Sequence, residues 1–134
     1  MGRNKTHMIA YFIIIATSLF ACAESAQYED ISHWEKNQQY VFIVYTQITD
    51  LKQLQEYAET KPYVDGQNTT VCFYNDKKQA PDISNMKANS WTQAILTIRD
   101  SEHFKRCTAW YDRLSSGDER IVEDPAIHLA DAIF

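Results

Sequence analysis

The side chains best suited to metal binding or nucleophilic chemistry are four histidines and three cysteines. Their spacing argues against either use. His33, His103 and His128 lie far apart, and none falls in an H-E-x-x-H or comparable ligand pattern. His103 and Cys107 stand four residues apart and could share a helix face with a metal. In an oxidising compartment Cys107 is better employed in a disulfide, which leaves His103 as a half-exposed histidine at a helix end. No metal and no cofactor are therefore expected. Ser115 and Ser116 sit in a turn, where serine is common, and flank no nucleophile elbow. Cys72 lies inside an apolar run, a setting that makes a thiol inert. The carboxylates Glu29, Asp30, Asp50, Glu56, Glu59, Asp118, Glu119, Glu123 and Asp124 mostly alternate with polar residues and read as a solvated surface. No catalytic pair stands out among them, and an enzyme is not expected.

The segment that could bind something follows a buried-looking strand. Asn75, Asp76, Lys77 and Lys78 begin a long polar loop over 75–89. In open α/β sheets, ligands settle beyond the carboxyl ends of strands, and long loops in small domains often carry function. An ordinary polar turn is the plainer reading of the same four residues. Aromatic residues make up 13% of the chain, more than a domain of this size can hide, so some must face outward. Tyrosine and tryptophan are favoured binding anchors.

The elements that would position these residues follow from periodicity. The run 40–46 (YVFIVYT) is β-branched and aromatic throughout, which suits a strand covered on both faces. A helix is expected over 50–60, capped by Asp50 with Gln53 three residues on, and striped by Leu51, Leu54, Tyr57 and Ala58. The run 69–74 (TTVCFY) reads as a second buried strand. A second helix is expected over 90–104, with Ser90 as cap and Trp91, Ala94, Ile95 and Ile98 inward. The stretch 106–113 reads as a third strand with Cys107, Ala109 and Tyr111 on one face. The turn 115–118 then leads to a polar edge strand at 119–123, and Asp124-Pro125 starts a closing helix. Segment 27–39, with Tyr28, Ile31 and Trp34 spaced by three, reads as a short amphipathic turn or a tether. The expected fold is a small α/β domain of order β-α-β-α-β-β-α. That order resembles the thioredoxin-like core, although Thr46-Gln47-Ile48-Thr49 stands where that family carries its two redox cysteines. An α+β two-layer sandwich of different strand order is the alternative.

The first residues form a separate object. Arg3 and Lys5 precede 8–21, fourteen residues without a charge, and the small residues Ala21, Cys22 and Ala23 follow. A basic start, an apolar middle and a small-residue exit make the plan of a secretory signal, too short for a comfortable membrane span. Ala21-Cys22-Ala23 fits cleavage after Ala23. Leu19-Phe20-Ala21-Cys22 also resembles the lipobox of bacterial lipoprotein precursors. The resemblance covers residues 1–22 and implies that Cys22 is lipidated and becomes the first mature residue. The expected organisation is a signal at 1–21, a lipidated tether at 22–39 and a globular domain at 40–134.

Charge and cysteine usage complete the reading. The 134 residues suffice for one domain, and net −5 argues against coating nucleic acid. Loss of Arg3 and Lys5 leaves eleven bases against eighteen acids, a mature charge of −7. With Cys22 set aside, Cys72 and Cys107 are expected to pair in an oxidising compartment, closing a loop of about 35 residues worth roughly 3–4 kcal/mol. Two separate buried thiols are the alternative. The expected function is a non-enzymatic binding or accessory protein, membrane-anchored and facing the periplasm or cell exterior, with an envelope protein as partner. One form is an inhibitor or immunity protein against a basic envelope-attacking enzyme; a thioredoxin-like redox protein is a weaker option. Metabolic labelling with a fatty-acid probe tests the anchor. Wild type takes up label, and Cys22→Ala is unlabelled and soluble; an unlabelled wild type removes the lipobox reading.

Overall fold

The computed structural model describes residues 27–128. The export segment and Cys22 lie outside the described residues, as does the chain from 129 onward. The fold is of the α+β class, and the described residues form a mixed five-stranded sheet with three α-helices. The strands are β1 (Tyr28–Lys36), β2 (Gln39–Thr46), β3 (Thr69–Tyr74), β4 (Ala109–Arg113) and β5 (Glu119–Glu123), and they neighbour one another in chain order. β2 and β3 run parallel, joined by α1 (Leu51–Ala58); every other pair is antiparallel. Helix α2 (Trp91–Arg99) and a 3₁₀ helix (Glu102–Arg106) link β3 to β4, and α3 (Pro125–His128) follows β5.

The segment expected as a tether at 27–39 instead forms β1 and the turn into β2, so among the described residues the sheet begins at Tyr28. The three-residue spacing of Ile31 and Trp34 comes from a β-bulge. The register slips between Asp30 and Ser32, and the extra residue lets Ile31 and Trp34 pack against the same core cluster. The hairpin turn was equally hard to read. Asn37 and Gln38 both hold positive φ, 51° and 64°, the two-residue geometry that usually calls for Asn-Gly. With β1 added, the element order differs from the expected β-α-β-α-β-β-α.

The central strands behave as their composition requires. All six residues of β3 are buried, and so are Val41, Phe42, Ile43 and Val44 of β2. Their side chains alternate between two cores. One holds Trp34, Ile43, Tyr74 and Trp110 under α2, Phe104 and the 80–88 segment; the other holds Phe42, Val44, Phe73 and Tyr111 under Leu54 and Ala58 of α1. Both caps form as expected, with Asp50 and Ser90 accepting from the backbone N–H groups of Gln53 and Gln93 at 3.1 Å. The second helix is shorter than expected. It closes at Arg99, and the chain tightens into the 3₁₀ helix before β4 begins at Ala109. Cys107 therefore precedes the strand and escapes its alternation. Ala109 and Tyr111 pack on the α1 side, whereas Cys107 joins Trp110 on the other.

Among the described residues one carboxylate penetrates the core. Asp112 is 1% exposed and stands in register with Thr70 on β3 and Arg120 on β5. Its Oδ1 accepts from Thr70 Oγ1 at 2.7 Å and Trp110 Nε1 at 2.9 Å; its Oδ2 accepts from Arg120 Nε and Nη2, both at 2.8 Å. Trp91 Nε1 donates to Thr70 Oγ1 at 2.9 Å, which ties the start of α2 into the same network. Removing one partner of a buried pair leaves the other uncompensated, at a cost of roughly 3–5 kcal/mol. Asp112→Ala is expected to lower stability by about that amount in urea unfolding, and Thr70→Val by about 1–3 kcal/mol.

Candidate binding surface

The four residues singled out after β3 do not act together. Asp76 shapes a turn, its Oδ1 accepting from Lys78 N at 2.9 Å. Lys77 leaves the strand end to pair with Glu29 at 2.6 Å and lies 5.1 Å above the Tyr45 ring; the Glu29 bond holds its ammonium charged to higher pH than usual. Lys78 is exposed. Only Asn75 lines the cleft at the ends of β2 and β3, a space of about 230 Å³ with Ile48, Leu51, Leu54 and Ala109 as its apolar lining. Thr49, Thr108, Glu123 and Asp124 supply its polar groups, and Asp124 holds a strained φ of 45°. The Asn75 carbonyl is already engaged, accepting from Gln47 Nε2 at 2.7 Å.

The long loop after these residues is mostly a cover. Ser32 Oγ, buried on β1, donates to Pro81 O at 3.0 Å and accepts from Ile83 N at 3.1 Å. Ile83 and Ala88 are buried against the sheet. His103 fastens the other side, its Nδ1–H donating to Gln79 O at 2.7 Å. That bond gives His103 a structural task, and among the described residues no group of three or more His, Cys, Asp or Glu could hold a metal.

Cys72 and Cys107 are free, buried thiols in one core cluster, so the expected bridge is not formed here. The strand order removes the geometric objection to it, since β3 and β4 are neighbours. Cys107, lying before β4, turns its Sγ to donate to Ala109 O at 3.1 Å. Burial above all, and then the hydrogen bond with Cys107, push the Cys72 thiol well up from its ordinary pKa. Tyr74, whose phenol is pushed up chiefly by burial, sits in the same cluster with its hydroxyl unpartnered.

A different surface was not singled out from the sequence. Helix α1 packs over β4 and β5 and also reaches the β1–β2 side of that sheet face, where Tyr28 OH donates to Gln53 O at 3.3 Å. There Tyr28 and Tyr57 stack with centroids 3.8 Å apart and planes 5° from parallel. Tyr57 OH donates to Asp30 Oδ1 at 3.0 Å, and Lys61 Nζ pairs with Asp30 Oδ2 at 2.5 Å. The Lys61 side chain is only 11% exposed, and its ammonium lies 4.9 Å from the Tyr57 centroid and 5.1 Å from that of Phe42. Tyr40 and His33 flank Phe42 at 5.9 and 5.7 Å, Tyr40 half-buried and His33 exposed. Burial first, then the bond to Asp30, raises the Tyr57 phenol far above its usual range, so it remains a donor. The result is a pre-formed strip of rings around a paired cation, held by hydrogen bonds at one end and open at Tyr40 and His33. The alternation of 40–46 could have identified Tyr40 and Phe42 as sharing a face. The positions of Lys61 and Asp30 could not be read, because they meet only through the fold.

The thiols supply a test of how tightly the core closes. In the reduced, folded protein at neutral pH, iodoacetamide is expected to modify neither Cys72 nor Cys107, and in urea both. Rapid labelling of native Cys72, read by peptide mass spectrometry, would show that this core opens without unfolding. The chain matches no protein-family model, and no curated protein or solved structure matches it either.

Proposed function

We propose that the chain is an exported envelope protein, held to a membrane through a lipid on Cys22, that works by binding and not by catalysis. The strip Tyr28, Tyr57, Phe42, Tyr40 and His33 is the observation that carries the reading. Rings already fixed by stacking and hydrogen bonds lose little freedom when a partner covers them, which favours affinity per contact. The partner class is a cationic envelope protein. The mature charge of −7 would speed encounter with a basic surface, and an inhibitor or immunity protein facing a basic envelope-attacking enzyme is one form of this. A thioredoxin-like redox role fits less well, because such chemistry uses a poised, accessible thiolate, and Cys72 is buried with its pKa raised. Within the export reading, oxidation of Cys72 and Cys107 by a disulfide donor of the compartment would remove two protons and two electrons and join β3 to the segment leading into β4.

Site-specific photo-crosslinking in envelope membranes tests the surface. A photoreactive residue at Tyr40 is expected to give one dominant adduct whose yield falls with salt. The same group at Leu96, exposed on α2, gives none. Equal adducts from both positions, or none from Tyr40, would remove this face as the binding surface.

A further inference from the structure

We propose that the outer edge of β1 is a self-complementary surface through which two copies of this chain pair, antiparallel strand to strand. Among the described residues β1 ends the sheet, with β2 as its single neighbour. The turn decides which of its backbone groups point outward. A two-residue loop with positive φ at Asn37 and Gln38 makes Lys36 and Gln39 the flanking pair that exchanges both hydrogen bonds. Bonding alternates along an antiparallel pair, so Trp34 also bonds inward to Val41, while His33 and Glu35 aim N–H and C=O away from β2. Tyr40, opposite Glu35, bears this out: its N–H donates to Asn68 O, on the β3 side, at 3.1 Å. Both outward residues are exposed, and among the described residues no backbone hydrogen bond reaches them from elsewhere.

An edge that offers bonds will accept many strands; the side chains here select a second copy. A two-fold axis at Trp34 sets His33 opposite Glu35 of the second copy and Glu35 opposite its His33. Those are the outward-bonding residues, so each imidazole–carboxylate pair coincides with a pair exchanging both backbone bonds. Moving the axis to Glu35 or to His33 sets a residue against itself and loses the match. The bulge at Asp30–Ser32 ends the regular stretch above, which restricts pairing to the segment where His33 and Glu35 face each other. A groove of about 620 Å³ runs between His33–Lys36 and the segment from Ser84 to Asn89, whose walls meet where Lys36 Nζ donates to Asn89 Oδ1 at 3.3 Å. The pairing does not depend on the envelope reading.

Light scattering on the full chain in detergent, over a range of concentration, is the test, with the detergent mass subtracted. The expected mass is that of a dimer. His33→Glu opposes two carboxylates and is expected to raise the dissociation constant by about tenfold. The reciprocal variant, His33→Glu with Glu35→His, restores the wild-type value because the axis again matches opposite partners. Glu35→Pro deletes only an outward N–H, so it is expected to abolish the dimer while the melting temperature of the monomer stays close to wild type. A wild-type protein that stays monomeric overturns the proposal, including one that binds a strand of some other protein. So does a dimer indifferent to Glu35→Pro, or a reciprocal variant that fails to recover.

Discussion

A carboxylate placed where water cannot reach must be satisfied by the protein, and Asp112 imposes that condition on three strands at once. Its partners come from β3, from β4 itself and from β5, and through Thr70 the network reaches the first residue of α2. Strand register is seldom this tightly specified by a single residue. A slip of β4 by one position would move Asp112 to the α1 side of the sheet, near Phe42 and Phe73, and leave Arg120 without its carboxylate. The apolar core makes the sheet stable, and this polar contact selects one of the alignments the core would tolerate.

The two faces are protected unequally. On one, α2, the 3₁₀ helix and the 80–88 segment seal the sheet from β1 across to β4. On the other, α1 lies over β4 and β5 and meets the β1–β2 hairpin through Leu54, Ala58 and Tyr57, with Lys61 just beyond its end. The same hairpin carries the open aromatic strip and the unpaired edge. Both functional readings thus draw on one hairpin, at the end of the described sheet. Asp30 is what keeps the exposed side ordered, since it fixes the ammonium that sits among the rings.

Buried strands, helix caps and the closing hairpin were readable because each is a local pattern: six apolar-compatible residues in 69–74, a capping aspartate or serine with glutamine three positions on, a serine–glycine turn. β1 was not, because a bulge converts strand alternation into a spacing of three and so imitates a helix turn. The covering role of the 75–89 loop was hidden for a related reason. Its polarity is real, but Ser32, fifty residues away in sequence, is what turns it into a cover. Asp112 drew no attention in sequence, since an aspartate inside a tyrosine- and arginine-flanked strand looks like an ordinary surface charge. Lys61, Asp30 and Asp112 all acquire their roles from contacts between distant segments, and those are the contacts that periodicity does not encode.

The parallel seam between β2 and β3 has a bearing on how the chain folds. The β1–β2 and β4–β5 hairpins close over short loops and can form early, each from neighbours in the chain. Neither buries much alone. β3 must be captured between them, parallel to one and antiparallel to the other, and each docking closes a far longer stretch of chain. Until that happens both hairpins present unpaired inner edges. The rate at which β3 is captured, more than the stability finally reached, therefore governs how long the newly made protein is exposed to aggregation.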